Sequence, residues 1–119
     1  MEEVGLRHLA YIGDAVWELF VREKTIHLTS NSGKLHKITT DRVNCAFQAK
    51  LLNKLNDILT VEEHEIARRG RNLPIPVARK NNQAEYRLAT AFETLIGWWY
   101  EYDKNRLNDV LQILKSDIN

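Results

Sequence analysis

Residues 9–20 read LAYIGDAVWELF, and the spacing of the apolar members is that of a helix. Leu9, Ile12, Val16, Leu19 and Phe20 fall on one stripe at helical periodicity. Gly13 and Asp14 sit in its middle. Glycine in a helix interior costs about 1 kcal/mol relative to alanine, and aspartate is a poor helix former. Lacking a Cβ, glycine lets a second backbone come close. Asp14 falls roughly opposite the centre of the apolar stripe, and Glu18 and Arg22 follow it along the same edge at four-residue steps. An ordinary i, i+4 ion pair accounts for Glu18 and Arg22; it does not account for Asp14.

Working outward, the remainder of the chain is helical too. Val43, Phe47, Leu51 and Leu55 recur every fourth position, which predicts one long helix from about Leu35 to Leu55. Thr60 and Glu63 have the spacing of a capping box, opening a short helix that Gly70 would close. Leu88, Phe92, Leu95 and Trp99 stripe a further helix, and Leu107, Val110, Leu111 and Leu114 stripe a last one, started by Asp103. HLTSNSG (27–33) and NLPIPVARKNNQ (72–83) read as loops, the second long enough to suggest a role of its own. No run alternates with period two, and there is no internal repeat. The expectation is an all-α fold, one domain over residues 1–119, with connections too irregular for an up-down bundle.

At 119 residues and 44% hydrophobic, the chain can bury a core, which excludes disorder. No apolar run approaches the length of a membrane span. The opening MEEVGLRHLAYIG is acidic where a signal peptide would be basic. Cys45, the single cysteine, excludes an internal disulfide framework and a cysteine-rich zinc site. A reducing, cytoplasmic setting is therefore expected, with no membrane partner. The net charge of +1 conceals a division. Residues 68–87 carry a net +5, residues 34–54 a net +4, and the remainder −8. Basic blocks suit a phosphate backbone, and grouped carboxylates suit divalent cations. Each block would also serve simply as a solvated face.

Glu93 lies well off the Leu88/Phe92/Leu95/Trp99 stripe and shares its edge with Tyr86, Thr90 and Gly97. Two predicted helices thus each offer an off-core carboxylate with a glycine close by. Were those helices to pack through Gly13 and Gly97, Asp14 and Glu93 would face a common point. Paired carboxylates repel unless a proton or a cation lies between them. Oxygen donors without histidine or thiolate favour magnesium or manganese over zinc.

LAYIGDAV (9–16) resembles the signature segment of the ribonuclease III catalytic domain, and TAFETLIG (90–97) resembles the second carboxylate segment of that family. The similarity is greater to its Mini-III branch, short enzymes without a double-stranded RNA-binding domain. KLHK (34–37), RRGRN (68–72), Lys80-Asn81 and Tyr86-Arg87 resemble segments of that branch in the same order, so the likeness covers nearly the whole chain. The wider family has acids where this chain has Ala10 and Thr90; the Mini-III branch departs at the same two places.

The resemblance implies a ribonuclease III-type helical endonuclease domain acting on double-stranded RNA. Asp14 and Glu93 would be the catalytic, metal-binding pair for Mg²⁺, with Mn²⁺ as the alternative. The products would have 5′-phosphate and 3′-hydroxyl ends. The branch further implies a homodimer and a role in maturation of large-subunit precursor ribosomal RNA. The basic blocks would then contact the RNA backbone, through Arg68, Arg71, Asn72, Lys80, Asn81 and Arg87, and through His36 beside the other block. For Arg68 the competing reading is complementation of a helix C-terminus. Two other functions stay open on the residues alone. One is an RNA-binding domain of this architecture without catalysis. The other is an all-α nucleotide pyrophosphohydrolase, for which Glu62-x-x-Glu65 is present but no second acidic motif follows.

Overall fold

In a computed structural model that describes residues 3–76 and 82–119, the chain is all-α, and no strand occurs among the described residues. In chain order the helices are α1 (Glu3–Thr25), α2 (Ser32–Val43), α3 (Cys45–Leu55), α4 (Val61–Arg71), α5 (Gln83–Tyr102) and α6 (Lys104–Ile118), with a 3₁₀ turn at Asn56–Ile58. α5 is the axis. Ala89, Ala91, Phe92, Thr94, Leu95, Ile96, Gly97 and Trp99 are buried around most of its circumference, the pattern of a helix enclosed by others. α1, α3, α4 and α6 all pack on it.

Three local expectations are corrected. The predicted helix 35–55 is two helices, because Asn44 adopts an extended backbone (φ −78°, ψ 166°) and its side chain accepts from the Phe47 N–H at 2.9 Å. Its Nδ2 also donates to the Thr40 carbonyl at 3.1 Å, so one residue ends α2 and starts α3. The apolar four-residue spacing survives this break, which is why periodicity alone did not reveal it. Gly70 does not close α4. It lies buried in the last turn, which Asn72 caps, and a Cβ there would come within 2.7 Å of Thr94 Oγ1, so its smallness serves the α4–α5 approach. On α1, Leu19 is 58% exposed, whereas Trp17 is fully buried, packed edge-on to Phe92 with centroids 5.2 Å apart. Trp17 is therefore a core residue. Trp98, half-buried, packs with Leu6, Leu9 and Leu73.

The capping box of Thr60 and Glu63 is present, but Glu63 also does something the sequence did not reveal. Its carboxylate accepts from Trp99 Nε1 at 2.8 Å and from Arg106 Nε and Nη2 at 2.9 and 2.8 Å. Arg106 further donates to the Ile58 carbonyl. Four elements meet at this one acid. Burial by itself would raise the Glu63 carboxyl, but the Arg106 guanidinium, the Thr60 N–H and the Trp99 indole outweigh it and hold it at about 2. A value below the ordinary 4.5 means that the stabilisation is present above that pH and is lost as pH falls towards 2. Glu63→Gln should lower stability near neutrality by about 3 kcal/mol. The deficit should shrink between pH 4.5 and 2, as followed by urea unfolding across that range.

Candidate active site

α1 and α5 cross at their glycines. A methyl group on Gly13 would overlap the Glu93 carbonyl oxygen and reach within 2.8 Å of the Gly97 nitrogen; one on Gly97 would overlap the Leu9 carbonyl. The two backbones are in direct contact, and no other residue fits at either position. Both glycines have ordinary helical φ, so close approach alone requires them.

The crossing brings Asp14 and Glu93 into one shallow cleft of roughly 170 Å³, lined also by Arg7, Ala10, Tyr11, Leu73, Tyr86 and Thr90. Asp14 is exposed at its mouth, and Glu93 is half-buried. Burial pushes the Glu93 carboxyl up to about 8, reinforced by its hydrogen bond with Asp14 and by that residue's charge, and opposed by the Gln48 amide. At neutral pH Glu93 of the metal-free protein therefore keeps its proton. Among the described residues no third histidine, cysteine or acid joins the pair. Two hard oxygen donors held together at the cost of a retained proton fit a divalent cation such as Mg²⁺ or Mn²⁺, which would do electrostatically what the proton does.

Arg7 was not singled out from the sequence. It stands seven positions, two helical turns, before Asp14, which places it on the same face. Its Nη2 donates to the Pro74 carbonyl at 3.0 Å, tying the start of the 72–83 segment to the cleft. Thr90 donates to the Tyr86 carbonyl one turn back on α5.

The basic candidates are distributed unevenly. Arg71 and Arg87 are brought together: Arg87 Nη1 donates to the Arg71 carbonyl at 3.1 Å, joining the end of α4 to the first turns of the helix that carries Glu93. Asn72 caps α4, its N–H donating to the Arg68 carbonyl at 3.1 Å. Arg68 pairs in two-pronged fashion with Glu65 at 2.8 and 2.7 Å, which offsets part of its charge. His36 stands apart, in a groove between α1 and α2 lined by Arg22, Thr25, Ile26, Ser32, Leu35 and Thr39. Lys80 and Asn81 lie outside the described residues.

A family model for the Ribonuclease III domain matches residues 7–104. A Mini-ribonuclease 3 of Gloeobacter violaceus is 43% identical, covering 95% of this chain and 84% of that one. One from Clostridium tetani is 36% identical over 89% of this chain and 73% of that one. A crystal structure of a Fusobacterium nucleatum protein superposes with a TM-score of 0.82 at 30% identity, covering 92% of this chain and 89% of that one.

Because the Glu93 value lies above the ordinary 4.5, the folded protein keeps a proton that the unfolded chain releases. Stability of the metal-free protein therefore falls as pH rises from 4.5 towards 8. At about 1.4 kcal/mol per pH unit between the two values, the full cost is a few kcal/mol. In EDTA at pH 9, Glu93→Gln should unfold at a higher temperature than the wild type, with the gap narrowing towards pH 5. A gap independent of pH would mean that neither burial nor Asp14 raises the Glu93 carboxyl.

Proposed function

The chain belongs to the ribonuclease III family as an endoribonuclease of that type, and on that premise we propose that it hydrolyses double-stranded RNA with Mg²⁺, or Mn²⁺, held by Asp14 and Glu93. One observation carries this reading. The glycine crossing brings two carboxylates into one cleft, where Glu93 keeps its proton, beside a cationic edge. The bound ion supplies Lewis acidity towards water and towards the charge that develops on the phosphate. Asp14, at the mouth, presents its carboxylate to solvent and substrate. Glu93, deeper, has to lose its proton before it can act as a donor. Products with 5′-phosphate and 3′-hydroxyl ends are part of the proposal.

The RNA backbone would run from the cleft over Arg7 to the Arg71–Arg87 junction, with Asn72, Lys80 and Asn81 as further contacts. A-form RNA offers phosphates, 2′-hydroxyls and shape, so a surface of this kind does not need base-reading side chains. Arg68, partly neutralised by Glu65, would contribute less. His36 would touch only a duplex extending along α1 past Arg22. The substrate proposed is the precursor of large-subunit ribosomal RNA.

Cutting both strands calls for two sites related by a two-fold axis, and we include a homodimer in the reading. Tyr11, Ala15 and Leu19 follow one another at four-residue steps on α1, all exposed, Tyr11 at 82%. This apolar row adjoins a groove lined by Ile12, Asp14 and Glu18, so an interface there would set the two clefts near the axis.

On a long RNA duplex with Mg²⁺, Asp14→Asn should reduce cleavage at least a hundredfold while leaving duplex binding and the fold in place. Cleavage at the wild-type rate would remove Asp14 from the reaction. Separately, Arg71→Ala and Arg87→Ala should each weaken duplex binding and lower the slope of log affinity against log salt by about one. Titrations at several salt concentrations read this directly, and unchanged slopes would place the RNA elsewhere.

A further inference from the structure

Gln48 is a buried polar side chain that neither the fold nor the basic surface accounts for. It lies on α3, only 2% exposed, between Phe47 and Ala49 on the side that packs against α5. A primary amide can donate twice and accept twice, yet Gln48 Nε2 has no hydrogen-bond partner. Burying an unpaired donor is unfavourable, and an apolar side chain of the same shape would be neutral or better there. Gln48 stands next to Glu93, and its amide favours the charged form of that carboxyl. A carboxylate there would be the acceptor that the buried, unpaired Nε2 lacks.

We infer that Gln48 is a positioning residue of the metal site, its Nε2 donating to the Glu93 carboxylate from the α3 side when Glu93 and Asp14 share a divalent ion. The inference rests on the metal-binding reading given above. Gln48 touches neither RNA nor the reacting atoms. It restricts the rotation of a donor that α5 positions only through its backbone, as partners behind metal ligands commonly do.

The test uses the whole chain without RNA. Mn²⁺ binding is followed by the electron paramagnetic resonance signal of the free ion, and thermal unfolding is measured in EDTA, for wild type, Gln48→Met, Gln48→Leu and Asp14→Asn. The inference expects both Gln48 variants to bind Mn²⁺ about tenfold more weakly while melting at or above the wild-type temperature. Affinity within twofold of wild type overturns it. So does a lower melting temperature in both variants, which would make the amide structural. If Asp14→Asn loses Mn²⁺ while the Gln48 variants do not, the inference about Gln48 fails alone. If wild type binds no Mn²⁺, or Asp14→Asn binds it normally, the metal site falls and the inference with it.

Discussion

Where α1 crosses α5, two backbones touch, and the rest of the molecule is arranged around that contact. The overlap that a methyl group would make with the Glu93 carbonyl from Gly13, or with the Leu9 carbonyl from Gly97, fixes both positions as glycine. Helices ordinarily stand 8–10 Å apart, separated by side chains. Removing the side chains at one crossing lets residues flanking the contact meet across it. Asp14 follows Gly13 directly, and Glu93 lies one turn before Gly97, so both acids project beside the contact. The helices lose a little intrinsic propensity at each glycine, and the burial of Trp17, Phe92, Leu95 and Trp99 behind the crossing offsets it.

Two buried or half-buried glutamates show how far surroundings decide the state of one chemical group. Glu63 meets the Arg106 guanidinium and the Trp99 indole and stays charged down to about 2. Glu93 meets Asp14 and keeps its proton up to about 8. The first acid ties α4 and the 3₁₀ turn to α5 and α6 and stabilises the fold. The second, in the middle of α5, destabilises the metal-free protein as pH rises. Opposed environments for like residues on one scaffold are a recurrent way to separate structural from reactive groups.

Much of this was legible in the sequence. The capping box at Thr60 and Glu63, the Asp103 start of α6, and the stripes of α5 and α6 all follow from local rules and are all present. Asp14 and Glu93 stood out because each is an off-core carboxylate with a glycine close by on its helix. The misreadings share a cause. Asn44 divides a helix without disturbing its apolar period, since Val43 before the break and Phe47, Leu51 and Leu55 after it all pack into the same core. Gly70 looked like a terminus because glycine at a helix end and glycine at a helix crossing are the same letter. Trp17 fell off the one-stripe reading of α1 because that helix is covered on more than one side, by α5 and α2.

By itself the sequence determined which residues form helices, which acids are spared from the core, and which family the chain resembles, since these depend on periodicity, capping and motifs within a few turns. Tertiary structure alone decided that Asp14 and Glu93 meet in one cleft, that Arg106 and Trp99 close on Glu63, and that Gln48 is buried with an unpaired donor. Each of those depends on the dielectric and on partners supplied by helices remote in the chain. Neither spacing nor composition encodes such surroundings until the backbones have met.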